Sequence, residues 1–359
     1  MTDAAWMRRA LFHAARAAGG TVPNPVVGAV VVTDEGVVVG HGYHERAGLA
    51  HAEVVALDAA GSRARGATMY VTLEPCCHVG RTGPCTRRVI DAGIRRVVAA
   101  TLDPDARVAG RGVEELRAAG IEVSVGLGDA EARRLNAGYF LAQEHGRPLV
   151  AVKAAVSRDG AIAERRDRPT AITGAAAARR TQRLRASMDA IAVGAGTVLA
   201  DDPRLSARDV VRSRPLTRVV FDRGLRTPPT ARLFTAPPAG PVIILTSTDA
   251  MATSPHAVAA LTHAGAELVP VASIEAGLSA LVARSVHTLL VEGGARLHRA
   301  FWEAGRVDRV HLVVAPHRLG AGAVPMFDGL PVPWSRFERV RSTACGDDVW
   351  MEADVHWDR

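Results

Sequence analysis

Aromatic residues make up only 4% of this chain of 359 residues. A protein that binds single-stranded nucleic acid needs basic tracts interleaved with stacking rings. That scarcity argues against such a partner, as does the charge pattern. Residues 1–147 carry 17 basic and 16 acidic side chains, and residues 148–359 carry 27 and 21, so the net +7 lies mainly in the second half. No run of 18 apolar residues is present, which excludes a helical membrane span. The four cysteines, with no secretory signal before them, do not make a disulfide framework, and a reducing cytoplasmic compartment is expected. Met1 to Ala10 reads as the start of an amphipathic helix rather than a signal peptide. A G-x-G-x-x-G followed by an acid is also missing, which removes the standard dinucleotide fingerprint and the generic dehydrogenase with it.

Lysine is the scarcest charge. Of the 44 basic residues, all but Lys153 are arginine. Where the two are interchangeable, an arginine-favouring coding bias replaces lysine; a compact ammonium on a flexible stem resists replacement. Lys153 lies in the otherwise apolar strand Leu149–Ala155, a poor place for a solvated side chain. It is therefore a candidate functional residue.

The length suits two domains, and 48% apolar residues are enough to fill their cores. The boundary falls near Glu144-His145-Gly146-Arg147-Pro148, where glycine and proline end a helical segment, giving domains over 1–146 and 147–359. Short β-branched runs alternating with helical segments indicate an α/β protein. The proline-rich stretch Thr227–Pro241 reads as a long loop inside the second domain.

The densest chemistry is His51-Ala52-Glu53, followed by Leu73-Glu74-Pro75-Cys76 and then Cys85. One histidine and two cysteines can hold Zn²⁺ with a fourth position left for water, whereas structural zinc sites close with four protein ligands. Glu53, two residues beyond the histidine, is the candidate proton carrier between that water and an amine-bearing ring carbon. The zinc deaminase signature is H-x-E…P-C-x-x-C. The first half fits, but eight residues separate Cys76 from Cys85. Cys77 adjoins a ligand, and neighbouring side chains diverge, so it reads as a half-buried bystander; Cys345 reads as a buried free thiol.

Residues 26–32 and 69–73 are expected as buried strands and 50–60 as a helix whose first turn carries His51 and Glu53. A second helix is expected after Cys85. The positive end of a helix suits a thiolate or a metal-held anion. The insert Cys77–Pro84 is a loop over the pocket, and His78, Arg81 and Thr82 are its phosphate-binding candidates. In the second half, Val286–Val291 followed by Glu292-Gly293-Gly294 and a helical run is a strand that leads a backbone towards a phosphate.

Pro23-Asn24-Pro25-Val26-Val27-Gly28, His41-Gly42-Tyr43-His44, His51-Ala52-Glu53 and the stretch from Glu74 to Cys85 resemble a riboflavin-biosynthesis family. Its members are bifunctional diaminohydroxyphosphoribosylaminopyrimidine deaminases and aminophosphoribosylaminouracil reductases. An eight-residue loop ending in Gly-Arg-Thr-Pro-Pro-Cys separates the family's cysteines, and here the ending is Gly80-Arg81-Thr82-Gly83-Pro84-Cys85. The second half is similar in Lys153–Gly160, Leu184-Arg185-Ala186, Gly196–Leu205 and Val291–Gly294.

The resemblance implies a cytidine-deaminase-like three-layer α/β/α domain followed by a dihydrofolate-reductase-like α/β domain. It implies Zn²⁺ on His51, Cys76 and Cys85, with Glu53 as acid and base, and NADPH in the second domain with Lys153 near the reacting sugar. Asn24, His78 and Arg81 would meet the phosphorylated pyrimidine in the deaminase. Arg185, Leu205, Arg208 and Glu292 would face the ribose phosphate in the reductase, and Ala155, Ala171, Thr197, Asp201 and Gly294 would face NADPH. A homodimer is implied as well.

One departure stands out. Many members carry Ser-x-Trp-Ile-Thr where this chain has Pro169-Thr170-Ala171-Ile172-Thr173, which removes a stacking surface. Thr170 or Thr173 is the candidate for the missing hydroxyl. A deaminase with a diverged or inactive reductase is the first alternative. A nucleic-acid base deaminase and a non-catalytic zinc-stapled module are the others, but the latter leaves Glu53 and the second half unexplained.

Overall fold

The computed structural model describes residues 1–79, 83–166, 170–210, 212, 214–235 and 240–357. The chain divides into two compact units, Met1–Gly146 and Arg147–Arg359. The first contains α1 (Asp3–Ala15), β1 (Gly28–Val32), β2 (Val38–Tyr43), α2 (Ala52–Ala60), β3 (Thr68–Val71), α3 (Cys85–Asp91), β4 (Arg96–Ala99), α4 (Arg111–Ala118), β5 (Glu122–Val125), α5 (Asp129–Leu135) and α6 (Ala137–His145). Its sheet runs β2-β1-β3-β4-β5, with β3, β4 and β5 parallel and β1 antiparallel to both its neighbours.

Alternation along each strand sends successive side chains to opposite faces. Val31, Met69, Val71, Val97 and Ala99 pack under α2, α3 and α4, while Val30, Val32, Tyr70 and Val98 pack under Trp6, Met7 and Ala10 of α1. Each layer thus buries one apolar stripe, which gives three layers from one sheet.

The second unit contains β6 (Leu149–Val156), β7 (Ala161–Ala163), α7 (Ala175–Ala186), β8 (Ala190–Gly194), α8 (Ala195–Asp201), β9 (Thr217–Phe221), α9 (Arg232–Thr235), β10 (Val242–Thr246), α10 (Thr248–Thr253) and α11 (Pro255–His263). It continues with β11 (Ala266–Pro270), α12 (Ile274–Val282), β12 (Thr288–Val291), α13 (Ala295–Glu303), β13 (Arg309–Val314), β14 (Val324–Pro325), β15 (Phe337–Cys345) and β16 (Asp348–Val355). The main sheet is ordered β11-β10-β9-β8-β12-β6-β13-β16-β15. It is parallel from β11 to β13 and closes with an antiparallel β13-β16-β15 edge.

Strands buried on both faces need continuous apolar sequence, and Val242–Leu245 and Leu289–Val291 have it. The register of β12 on β6 pairs Val291 with Val152, so Lys153 and Glu292 follow side by side at the C-terminal end of the sheet. The expected loop Thr227–Pro241 contains the short α9, with residues 236–239 outside the described set.

One buried carboxylate positions the chain leaving β3. Glu74 is 3% exposed, and its oxygens accept from the backbone N–H of Asp103 at 3.2 Å, Gly110 at 2.9 Å and Val113 at 3.1 Å. The segment before Cys76 is thereby tied to the loop after β4 and to the start of α4. Gly112 permits the approach, since a Cβ there would lie 2.1 Å from the Pro75 carbonyl oxygen.

Replacing Glu74 by alanine strands three backbone donors. A loss of about 2–4 kcal/mol from the amino-terminal unit is expected. Chemical denaturation read by a probe in that unit checks it, and an unchanged midpoint would contradict the anchoring role.

Candidate active sites

His51 is the N-cap of α2, in extended backbone, rather than part of the helix's first turn as the sequence led us to expect. This sends its ring across the helix entrance while Glu53, on the first turn, points inward and is 4% exposed. Cys76 arrives on the segment after β3, and Cys85 begins α3. The His51 Nδ1 lies 3.2 Å from Cys85 Sγ and 3.6 Å from Cys76 Sγ, and all three donor atoms lie within 4.8 Å of one another. A tetrahedral Zn²⁺ held by one imidazole and two thiolates requires S···N edges of about 3.6 Å. The donor set fits the ion.

The electrostatics agree. Cys76 is pushed down to about 4, first by a hydrogen bond from Cys85 and then, against its burial, by His51. Cys85 is pushed up by the same contact with Cys76 and by its own burial. Two thiolates this close coexist only beside a cation. His51 is raised, chiefly by Cys76. Glu53 is raised to about 7 by burial and then by the charge on Cys76. A carboxyl poised there can both take and return a proton near neutrality.

His51, Glu53 and Cys76 open onto a cavity of about 370 Å³ that Asn24 and His78 also line, with the buried Cys85 behind them. The amide nitrogen of Asn24 is 3.0 Å from Nε2 of His44, whose Nδ1 lies 3.1 Å from the Ala50 carbonyl oxygen, so the amide is held at the cavity edge. Arg81 lies outside the described residues.

Three residues that sequence reasoning missed complete the wall: Asp103, Asp105 and Tyr139. Tyr139 donates its hydroxyl to Asp103 at 2.9 Å, and burial raises that carboxyl to about 6. Asp105 is lowered by its hydrogen bonds with Arg107. Asp103-Pro104-Asp105 follows β4 almost directly, at the C-terminal edge where ligands of parallel sheets collect, and that signal could have found it.

The second unit holds a larger cavity of about 830 Å³. Lys153, Ala155, Thr197, Asp201, Glu292 and Gly294 all line it. Lys153 is pushed below its ordinary value by burial, with Glu292 opposing the shift. Burial works against ionisation of Glu292, yet the charge and hydrogen bonds of Arg185 outweigh it. That pair is bidentate, with Arg185 Nε and Nη2 at 2.7 and 2.6 Å from the two carboxylate oxygens, and Nη1 donates to the Ser206 carbonyl at 2.9 Å. Arg185 is thus committed behind the wall rather than lining it.

Leu205 is buried in an apolar cluster with φ of +48°, and the exposed Arg208 is held by its backbone N–H to Gln182 at 2.8 Å; neither lines the cavity. Ala171 does not line it either, although its neighbours Thr170 and Ile172 do. Thr170 accepts from the Glu164 N–H at 3.0 Å. Thr173 is off the wall, and Pro169 is outside the described residues.

The turn into α13 is shaped for close backbone approach. A Cβ at Gly293 would sit 2.8 Å from Val193 and 2.9 Å from Thr197 Oγ1, and Gly294 has φ of +64°. A glycine turn at a helix start, beside a long cavity, suits a phosphate-bearing cofactor. The arginines of the far wall, Arg223 and Arg226, were also missed, because in a chain so rich in arginine no single one stands out.

Comparison with known proteins follows the same division. Residues 1–101 match the cytidine and deoxycytidylate deaminase zinc-binding region, and residues 148–351 match the RibD C-terminal domain. The riboflavin biosynthesis protein RibD of Aquifex aeolicus is 42% identical over 323 residues, covering 89% of this chain and 88% of that protein. RibD of Escherichia coli strain K12 is 38% identical over 372 residues, covering 98% and 99%. Among solved structures, Acinetobacter baumannii RibD superposes with a TM-score of 0.88 at 35% identity, covering 99% of both chains. A Thermotoga maritima diaminohydroxyphosphoribosylaminopyrimidine deaminase/5-amino-6-(5-phosphoribosylamino)uracil reductase does so with a TM-score of 0.86 at 33% identity, covering 98% of both. A zinc-binding deaminase half joined to a reductase half, matched across nearly the whole length, makes this chain a member of the RibD family of bifunctional riboflavin-biosynthesis enzymes.

Proposed function

We propose that the first unit deaminates 2,5-diamino-6-ribosylamino-4(3H)-pyrimidinone 5′-phosphate and that the second reduces the ribosyl group of the product, 5-amino-6-(5-phosphoribosylamino)uracil, to ribityl. The observation that carries this is the buried Glu53 carboxyl beside a three-donor set, with Glu53, His51 and Cys76 lining one cavity. His51, Cys76 and Cys85 would hold Zn²⁺, which when bound acidifies a water towards neutrality. Glu53 takes a proton from the attacking water and returns it to the departing amine. Asn24, braced by His44, meets the pyrimidine edge, and His78 with Arg81 takes the phosphate. Asp103 and Asp105 supply acceptors for ring N–H groups.

In the second unit NADPH, when bound, supplies the hydride. Lys153, whose burial favours the neutral amine, exchanges a proton with the sugar at Nζ, and Glu292 holds it in place. Ala155, Thr197, Asp201 and Gly294 line the cofactor's path. Arg185 acts by fixing Glu292, and Leu205 and Arg208 shape the loop beside it. Ala171 contributes through the segment it shares with Thr170.

Two coarser expectations go with this. A cytoplasmic location is supported by Cys76, Cys77, Cys85 and Cys345, all unpaired. A homodimer is supported by β15, an edge strand exposed from Glu338 to Ala344, since such an edge invites a second strand.

Mass spectrometry of the pyrimidinone ribosyl phosphate incubated with pure protein tests the whole reading. Replacement of one amine by oxygen is expected without NADPH, and a further gain of two hydrogens with it. Absence of the first change would remove the proposal; absence of the second alone would leave a deaminase with an inactive reductase half. Separate variants assign the steps. Glu53→Gln should slow deamination by about 10²–10⁴-fold while bound zinc, measured by atomic absorption, stays stoichiometric. Lys153→Arg should abolish reduction while deamination continues, and a fully reducing Lys153→Arg enzyme would refute the lysine's role. Light scattering should give twice the 37.8 kDa chain mass, and a monomer at micromolar concentration would refute the dimer.

A further inference from the structure

We infer that Tyr139 is a positioning residue of the deamination site: with the Asp105 backbone N–H it occupies one oxygen of Asp103 and leaves the other as the acceptor offered to an N–H on the substrate ring. This rests on the reading of the smaller cavity as the place where the pyrimidine is deaminated. Tyr139 is one of three tyrosines in the chain and sits in Tyr139-Phe140-Leu141, an apolar stretch of α6. Tyr139 and Phe140 both belong to the main core of the unit, where a phenylalanine would fill the volume of Tyr139 equally well. A phenol buried there needs a partner for its hydroxyl. The partner it finds is 36 residues away in sequence, on the loop after β4.

Asp103 is held from two directions. Its backbone N–H donates to Glu74 at 3.2 Å, and its Oδ1 accepts from the Tyr139 hydroxyl and from the Asp105 N–H, each at 2.9 Å. Two donors use both lone pairs of that oxygen. No hydrogen bond among the described residues ends on Oδ2. That atom is not sealed off either, so it opens to the cavity that Asp103 lines. The helix bearing Tyr139 is in turn fixed to the segment bearing Asn24. Asn136, the N-cap of α6, accepts from the Val26 N–H at 2.8 Å and donates to the Val26 carbonyl at 2.9 Å. Asn24 and Tyr139 are therefore set in one frame, and a ring in the cavity meets an amide and a single carboxylate oxygen at fixed positions.

Charge gives the hydroxyl a role that packing does not. Glu74, from the segment after β3, and Asp105, from the same loop, both face Asp103 with charge of its own sign. The nearest cation, Arg107, is spent on Asp105 at 2.6 Å, and His78 acts on Asp105 as well. Asp103 has no ion-pair partner among the described residues and relies on neutral donors. Burial raises its carboxyl to about 6, while the hydrogen bonds from the Asp105 N–H and from Tyr139 hold the rise back against the two carboxylates. Tyr139 itself is raised by burial and then by Asp103, so it remains a donor. Without that hydroxyl the Asp103 carboxyl moves up into the neutral range, where the acceptor the ring needs becomes protonated.

Tyr139→Phe removes the hydroxyl and keeps the ring, so it separates the two roles. Deamination by the zinc-loaded full chain and by the variant would be followed from about pH 5.5 to about pH 8.5, with kcat and KM resolved at each point. Glu53 titrates in both enzymes and cancels in the ratio of the two profiles. That ratio should show a loss in kcat/KM of about three- to tenfold near pH 6.5, carried mainly by KM, which closes towards wild type at the alkaline end. The direction follows from the missing donor: a higher Asp103 value displaces the acid limb to higher pH. In an Asp103→Asn background, which has no carboxyl to titrate, Tyr139→Phe should leave the pH dependence unmoved. Bound zinc should stay stoichiometric throughout. An equal loss at every pH would show a merely structural tyrosine and overturn the inference, as would unchanged kinetics or a fall in kcat alone. Wild-type protein that does not deaminate the pyrimidinone ribosyl phosphate at any pH would overturn the reading of the cavity itself, and this role with it.

Discussion

Parallel strand pairing is the constraint on which both sites depend. Parallel neighbours cannot be joined by a tight turn, so each crossover returns through a helix, and every strand delivers its C-terminal end to the same edge. In the first unit β3 and β4 deliver Cys76 and Asp103 to one edge. In the second, β6, β8, β9 and β12 deliver Lys153, Thr197, Arg223 and Glu292. The chemistry thus lies at strand ends and helix starts, where backbone N–H groups and the helix dipole favour anions. The strands beneath supply rigidity and almost no polar atoms.

Buried charge is handled differently in the two units. In the deaminase half Glu74, at the edge of the same cavity, is satisfied by three backbone donors and serves as an anchor, while Glu53 has its charge disfavoured by burial and by a thiolate neighbour. Two carboxylates in one small domain therefore take opposite roles, set by whether donors surround them. In the reductase half Glu292 stays ionised because Arg185 grips both its oxygens. It can then oppose the desolvation of Lys153 without neutralising the lysine outright. Removing Arg185 would leave an uncompensated buried charge, so its distance from the cavity does not make it dispensable.

The loss of the family's serine and tryptophan before α7 bears on the reductase only locally. Thr170 keeps a hydroxyl at the cavity wall, and Ile172 keeps an apolar surface there. Stacking area is reduced, but the glycine turn before α13 and the far wall with Arg223 and Arg226 lie on other segments.

The cluster of His51, Cys76 and Cys85, the buried Glu53 beside it and the lone lysine were legible in the residue order, because residue type and short-range spacing are properties of local segments. His51 and Glu53 need only one helix start to be placed correctly, and Lys153 was singled out by composition before any fold was considered. The two-layered burial of the strands was legible for the same reason, since apolar runs and their alternation are local. Tertiary structure alone decided which distant segments meet. It brought Tyr139 of α6 to Asp103 after β4, set Arg185 behind Glu292, turned Leu205 into the core, and carried the cavity as far as Arg223. Those contacts follow from strand order and crossover path, which depend on the packing of the whole sheet and leave no periodic signal in any one stretch of sequence.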